Sequence, residues 1–252
     1  MKLVRLFKLL HTFYFVFCSS ILSHAYASPD LSSTLTVSKN DHQQTLTLEQ
    51  MKSQLTTHEI IFYHPIYKDQ RRYNAFKFVD VLKIYGGLPE GAKHIFFSSI
   101  DGYNTSLTTK AFKQHSNAWL AYEDLTSKDG NTFELFERQG KSFDPSPFYF
   151  LWKDPDTYHE IIKWPFAIKE IKLESIKDPY AVIAPKPNST KKVKSGYKIF
   201  SDNCIFCHSI NLTGGNIGPE LNLPMNITEY RNDKFLRAWI RNPEPSFRTD
   251  IS

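Results

Sequence analysis

Cys204-Ile205-Phe206-Cys207-His208 limits what this chain can fold into more than any other stretch. Two thiols two residues apart, followed directly by a histidine, read as a covalent haem attachment site. That spacing lets both sulfurs reach the two vinyl groups on one edge of the macrocycle. It also sets the adjacent imidazole on one face, where it can take an axial position on iron. A redox CxxC of the thioredoxin kind opens a helix after a strand, whereas the residues before Cys204 read as helical. A zinc site would need two more ligands at matching spacing, and there is no second cysteine pair. A plain disulfide between Cys204 and Cys207 stays open on the sequence alone.

The opposite end of the chain speaks to compartment. Lys2, Arg5 and Lys8 precede the apolar run Thr12–Leu22 and the small-residue site Ala25-Tyr26-Ala27. This is the pattern of a secretory signal peptide over residues 1–27, cut after Ala27. The run is shorter than the ~20 residues a spanning helix needs, so the mature chain is expected to carry no membrane span. Cys18 goes with the leader, and a periplasmic protein whose remaining thiols, Cys204 and Cys207, both carry haem needs no structural disulfide. Taking 27 leader residues from 252 leaves 225. Three of the +5 formal charges lie in the leader, so the net charge falls near +2, too balanced to suggest nucleic acid.

A length of 225 suits one medium domain and one small one. The 20 Phe and 13 Tyr supply enough apolar surface for two cores. Asp178-Pro179, Pro185-Lys186-Pro187 and Asn188-Ser189-Thr190, interspersed with lysines, resist packing and read as an exposed linker over residues 177–191. The expected division is a leader at 1–27, an α+β domain at 28–176, the linker, and a small all-α domain at 192–252.

In the last segment the residues follow in a cytochrome order. Lys194–Phe200 is a short amphipathic stretch entering the haem motif, and Gly214-Gly215-Asn216-Ile217-Gly218-Pro219-Glu220-Leu221 follows it. Gly218 allows close backbone approach to a porphyrin, and the Pro219 carbonyl can face the His208 imidazole. Asp233–Asn242 reads as a helix with Phe235, Leu236, Trp239 and Ile240 on one face, capped by Asp233 and ended by Pro243. These features resemble class I c-type cytochromes over Lys192–Ser252. The resemblance implies one covalent haem c held by Cys204 and Cys207, with His208 as an axial ligand. In the family a Met-Pro follows the Trp-Ile and Asn-Pro elements and supplies the second axial sulfur, and a closing helix follows. This sequence runs to Ser252 without either, so a domain short of its C-terminal helix is expected. Met225 is the only methionine after the motif, a ligand candidate that reads more readily as packing ahead of a helix capped by Asn226 or Thr228.

The larger region carries less chemistry. Thr47-Leu48-Glu49-Gln50 is a capping box opening a helix, Glu59–Tyr63 reads as a strand, and Phe78–Ile84 is a helix closed by Gly86-Gly87. His94–Ile100, Ala118–Tyr122, Phe148–Trp152 and Lys169–Glu174 read as further strands, giving mixed α+β. The order Pro65-Ile66-Tyr67, Arg72-Tyr73, Phe78–Leu82, Asp101-Gly102-Tyr103, Trp119–Tyr122 and Trp164-Pro165-Phe166 resembles the oxidoreductase molybdopterin-binding domain, the fold of sulfite oxidase. That family holds molybdenum through a cysteine thiolate, and no cysteine lies between Cys18 and Cys204. A cofactor-free relative is therefore expected, with no molybdopterin.

His42, His58, His64, His94, His115 and His159 show no metal-ligand spacing and read as surface or packed residues. Arg71-Arg72 beside Tyr67 and Tyr73 can face an anionic ligand, with solvated arginines as the default. Asp101 reads as a turn residue, and Asp144–Pro147 as a loop. Together these point to a periplasmic carrier of single electrons rather than a catalyst, exchanging electrons with redox partner proteins. The N-terminal module would dock a partner or position the haem. Two other readings stay open: a haem-linked oxidoreductase with a pterin or small-substrate site in the N-terminal domain, and a haem-based ligand sensor.

Overall fold

The computed structural model describes residues 27–39, 42–114, 117–128, 130–138, 140–153, 164–174 and 180–241. The expected leader (with its cleavage site up to residue 26), His115, His159, residues 177–179 of the linker and everything from Asn242 on lie outside the described residues.

Two sheets organise the first 174 residues. One has the order β2-β1-β11-β5-β6, built from β1 (Thr34–Lys39), β2 (His42–Thr47), β5 (His94–Ser99), β6 (Asn104–Thr108) and β11 (Ile168–Glu174). The other has the order β10-β7-β4-β3, from β3 (His58–His64), β4 (Asp69–Lys77), β7 (Ala118–Asp124) and β10 (Tyr149–Trp152). Only the β1–β11 pair is parallel within these sheets, with Val37 opposite Ile171. That pairing sets the first strand beside the last, so this part of the chain closes on itself.

Sequence period explains the layers. In β10 all four residues are buried: Phe150 and Trp152 join the core between the sheets, while Tyr149 and Leu151 face the other way. The inner core also takes Leu35, Ile95, Phe97 and Ile171 from the first sheet. Three short helices add to it: α1 (Leu48–Gln54) with Leu48 and Met51, α2 (Phe78–Ile84) with Phe78, Val81 and Leu82, and α3 (Thr109–Gln114) with Phe112. Each such side chain contributes about 1.5–3 kcal/mol by leaving water. The Thr47 capping box forms with Gln50, and α2 ends on Gly86 and Gly87, both at positive φ. A second cluster of Ile60, Phe62, Tyr73, Ala75, Phe133, Tyr149 and Leu151 covers the outer face of the four-stranded sheet, with Trp164 and Phe166 packed on it. A small ribbon of β8 (Phe136–Arg138) and β9 (Lys141–Phe143) lies in the connection between β7 and β10.

From residue 180 the chain is mostly helical, with α4 (Lys191–Asn203), α5 (Ile227–Tyr230) and α6 (Asp233–Arg241). A two-residue ladder, β12 (Ser209–Ile210) with β13 (Thr213–Gly214), adds a little strand to the expected all-α segment. Thr190 caps α4, so Lys191, the end of the expected linker, is already helical. Asn226 caps α5. The cap of α6 is not Asp233. Asn232 Oδ1 accepts the Phe235 N–H at 2.8 Å, and Asp233, one residue inside, reaches Arg237 instead. An Asn three residues before the donor satisfies an orphan N–H that an Asp already in the first turn cannot reach.

Candidate haem-binding site

Helix α4 delivers the CxxCH motif. Cys204 ends the helix, its N–H bonded to Phe200 O at 2.8 Å, and the chain then coils into a turn. Cys207 and His208 both donate to Cys204 O, at 3.1 and 2.9 Å. No disulfide joins Cys204 and Cys207, and each is partly buried. Burial pushes the Cys204 thiol up.

The loop after the motif folds back on it. Gly218 N–H donates to Cys207 O at 2.8 Å, and Leu221 N–H to Ser209 O at 2.9 Å. His208 Nδ1 stands 2.9 Å from Pro219 O. A carbonyl only accepts, so Nδ1 carries the proton and the Nε2 lone pair is left for another partner. Residue 218 must be glycine here, because a β-carbon would stand 2.6 Å from His208 Nδ1 and 2.8 Å from Nε2. Ring and backbone are thus in flat contact.

Glu220, to which sequence reasoning assigned no role, pins this loop. Its carboxylate accepts N–H bonds from Asn211, Leu212, Asn222 and Leu223 at 2.8–3.2 Å. Asn211 and Leu212 both sit at positive φ, a conformation that anchorage by an anion helps to hold. Burial works to raise the Glu220 pKa, but the N–H of Leu212, the Ser209 hydroxyl and the N–H groups of Asn222 and Leu223 outweigh it and bring it down to about 2. The signal in the sequence was an acid directly after Gly-Pro in a loop otherwise poor in charge. Met225 lies beyond this loop, half-exposed, after the Leu223-Pro224 peptide.

A hairpin from the N-terminal region touches the motif itself. Between β5 and β6, Ser99 N–H donates to Tyr103 O and Tyr103 N–H to Asp101 Oδ1, both near 3 Å. At its tip, Asn104 N–H donates to Phe206 O at 3.2 Å, and the Tyr103 and Phe206 rings lie 6.3 Å apart. Gly102 has φ +88°, and a β-carbon there would run into Asn216 Oδ1. Ile205 and Phe206, the two residues between the cysteines, are buried, at 1% and 7% exposure.

Arg71 does not face an anion, nor is it solvated. It is 2% exposed and bonded to Asp69, Asp124 and Glu134 at 3.0–3.3 Å, with its guanidinium 4.1 Å from the centre of the Tyr67 ring. Three carboxylates answer one cation, so an incoming anion would be repelled. Sequence reasoning missed this because Asp124 and Glu134 lie more than fifty residues from Arg71. Arg72 is the solvated one, paired with Glu59 across β3. His64 is fully buried, and burial together with the Arg71 charge lowers its pKa to about 3. Among the described residues no group of three or more His, Cys, Asp or Glu is arranged to hold a metal ion.

Residues 193–242 match the cytochrome c family model, and this segment is a cytochrome c domain. The family carries covalently bound haem c. The chain's own residues fit that group: two thiols not joined in a disulfide, an imidazole whose Nδ1 is held by Pro219 O, and a glycine against the ring. Helices α4, α5 and α6 bury no residue, and Ile199 in α4, Ile240 in α6 and Met225 ahead of α5 are more than half exposed. No curated relative matches the chain. A solved structure, the sulfane dehydrogenase SoxCD from Paracoccus pantotrophus, is similar at 10% identity and TM-score 0.37, covering 60% of this chain. This chain spans 40% of that one. Among the described residues no helix is long and apolar enough to cross a membrane.

Proposed function

We propose that the protein is an exported, periplasmic one-electron carrier whose N-terminal unit, residues 28–176, seats the haem-bearing loop of the cytochrome c domain. Haem c, when attached, supplies an iron that cycles between ferrous and ferric states. Cys204 and Cys207 anchor it. His208 offers Nε2 to the metal, and Pro219 O holds the ring in that tautomer and orientation. Gly218 lets the chain lie against the imidazole. Met225 is the candidate for the second axial position.

The observation that carries the reading is the His208 Nδ1 to Pro219 O contact directly after the Cys204 and Cys207 thiols, which no disulfide joins. Support for a seating role comes from the Asn104 to Phe206 bond, which buries the centre of the haem motif under the β5–β6 hairpin. Electron exchange with a partner protein then uses the parts of the domain away from that hairpin. The lack of a cysteine in the N-terminal unit supports a module without molybdopterin.

Visible spectra of the chain, exported from a host with cytochrome c maturation machinery and then denatured, test this reading. Haem that stays attached after denaturation is expected; haem lost on denaturation sinks the proposal. A methionine-to-iron charge-transfer band would assign Met225. Carbon monoxide binding to the reduced protein without that band would turn the reading toward a ligand sensor.

A further inference from the structure

Four fully buried polar atoms on the outer side of the four-stranded sheet have no protein partner among the described residues. They are His64 Nε2, the Tyr73 and Tyr149 hydroxyls and Ser127 Oγ. Their residues are neighbours in the fold. Tyr73 is opposite Asp124 in the β4–β7 ladder, and Ser127 closes the turn that starts at Asp124. Both phenols sense the Asp124 charge. The His64 ring centre lies 5.7 Å from that of Tyr149 and 6.1 Å from that of Tyr73. Native proteins pair nearly all buried polar groups, with protein or with ordered solvent, so four orphans in one place call for a ligand.

Charge and proton positions say what kind. Arg71 is outnumbered by Asp69, Asp124 and Glu134, which disfavours an anion. His64 Nδ1 accepts the Ile66 N–H at 3.2 Å, so in the neutral ring the proton is on Nε2, a donor that disfavours a cation. The hydroxyls can donate or accept. An uncharged dipole satisfies both ends: it accepts from His64 and donates toward the phenols and Ser127.

We propose that these buried groups share small uncharged molecules able to accept and donate hydrogen bonds, with ordered water as the resident ligand. The aromatic walls, Tyr67 at 4.8 Å and Trp164 at 5.0 Å from the His64 ring, keep the site closed to bulk solvent. The inference is independent of the haem reading.

The test is a pair of variants in the full haem-loaded chain, Tyr73→Phe and Tyr149→Phe. With water bridging the phenols and His64, each variant loses a bonded hydroxyl and lowers the thermal midpoint of the N-terminal unit by about 2–4 °C. If the hydroxyls are bare, each change removes an unpaired buried group, and midpoints that stay level or rise overturn the proposal. A crystal structure gives the second arm. Density for a neutral molecule within about 3.2 Å of His64 Nε2 and a phenol supports it, and mass spectrometry under native conditions separates water from a small organic compound. A direct Tyr73–Tyr149 hydrogen bond, or an ion identified by anomalous scattering, overturns it.

Discussion

Between Thr34 and Glu174 the large apolar side chains pack against one another. Trp152, Phe150, Phe78 and Phe97 are all under 2% exposed. Between Lys191 and Arg241 the three helices bury nothing, and the buried residues of that stretch, Ile205, Phe206, Ser209 and Gly215, lie in or just after the CxxCH motif. The first region is held by hydrophobic contact among its own residues. The second is held by caps, by loop hydrogen bonds such as those to Glu220, and by contact with a neighbour. A segment of about 60 residues buries too little surface to fold on packing alone, and a large covalent apolar group supplies the missing core.

The largest expected effect follows from removing that group. With Cys204→Ala and Cys207→Ala together, haem attachment is lost and the segment from residue 180 on unfolds, while the N-terminal unit keeps its transition. Haem staining after denaturing electrophoresis and amide exchange of the two regions check this. If the helical segment stays folded, the comparison fails. Trp152→Ala strikes the other half and is expected to cost about 3–5 kcal/mol in denaturant unfolding, while leaving haem attached.

Acid separates the two regions by window. His64 is held near 3 in the fold against about 6.5 unfolded, so the unfolded chain binds the extra proton. Stability of the N-terminal unit therefore falls as pH drops from 6.5 toward 3, by up to about 1.4 kcal/mol per pH unit. Glu220 is held near 2 against an ordinary 4.5, so its contribution is full above 4.5 and is lost only as pH falls toward 2. Unfolding followed separately by near-ultraviolet aromatic signal and by haem absorption is expected to show the N-terminal unit weakening first, and Glu220→Gln to erase the lower step. Smaller still is Gly102→Ala. An alanine at φ +88° costs about 1–2 kcal/mol and pushes on Asn216, so it uncouples the hairpin from the motif. The haem-bearing segment is expected to unfold at a lower temperature than in the parent, with a shifted reduction potential.

Much of the fold was legible because local patterns agree with it. The Thr47 capping box, the Phe78–Ile84 helix with its Gly86-Gly87 stop, and the strand at Ala118 each carry their own signal in a few neighbouring residues. The β1–β2 hairpin went unread because Thr34–Thr47 is rich in Thr, Ser and Gln, and β2 keeps mostly exposed residues. Arg71 was misread for a different reason: its partners come from β7 and the loop after it, which only sheet pairing brings near.

By itself the sequence determined the thiol spacing, the histidine beside it and the Gly-Pro that meets its ring, since covalent attachment and close backbone approach depend on residue type and short-range spacing. Tertiary structure alone decided that Gly102 meets Asn216 while Tyr103 and Asn104 meet Phe206, that Arg71 is enclosed by three carboxylates, and that His64 is surrounded by aromatic rings. Apart from Asp69 and Tyr67, the partners in those contacts stand 53 to 114 positions away in the sequence, and burial, which sets their charge states, belongs to the packed whole rather than to any local stretch of chain.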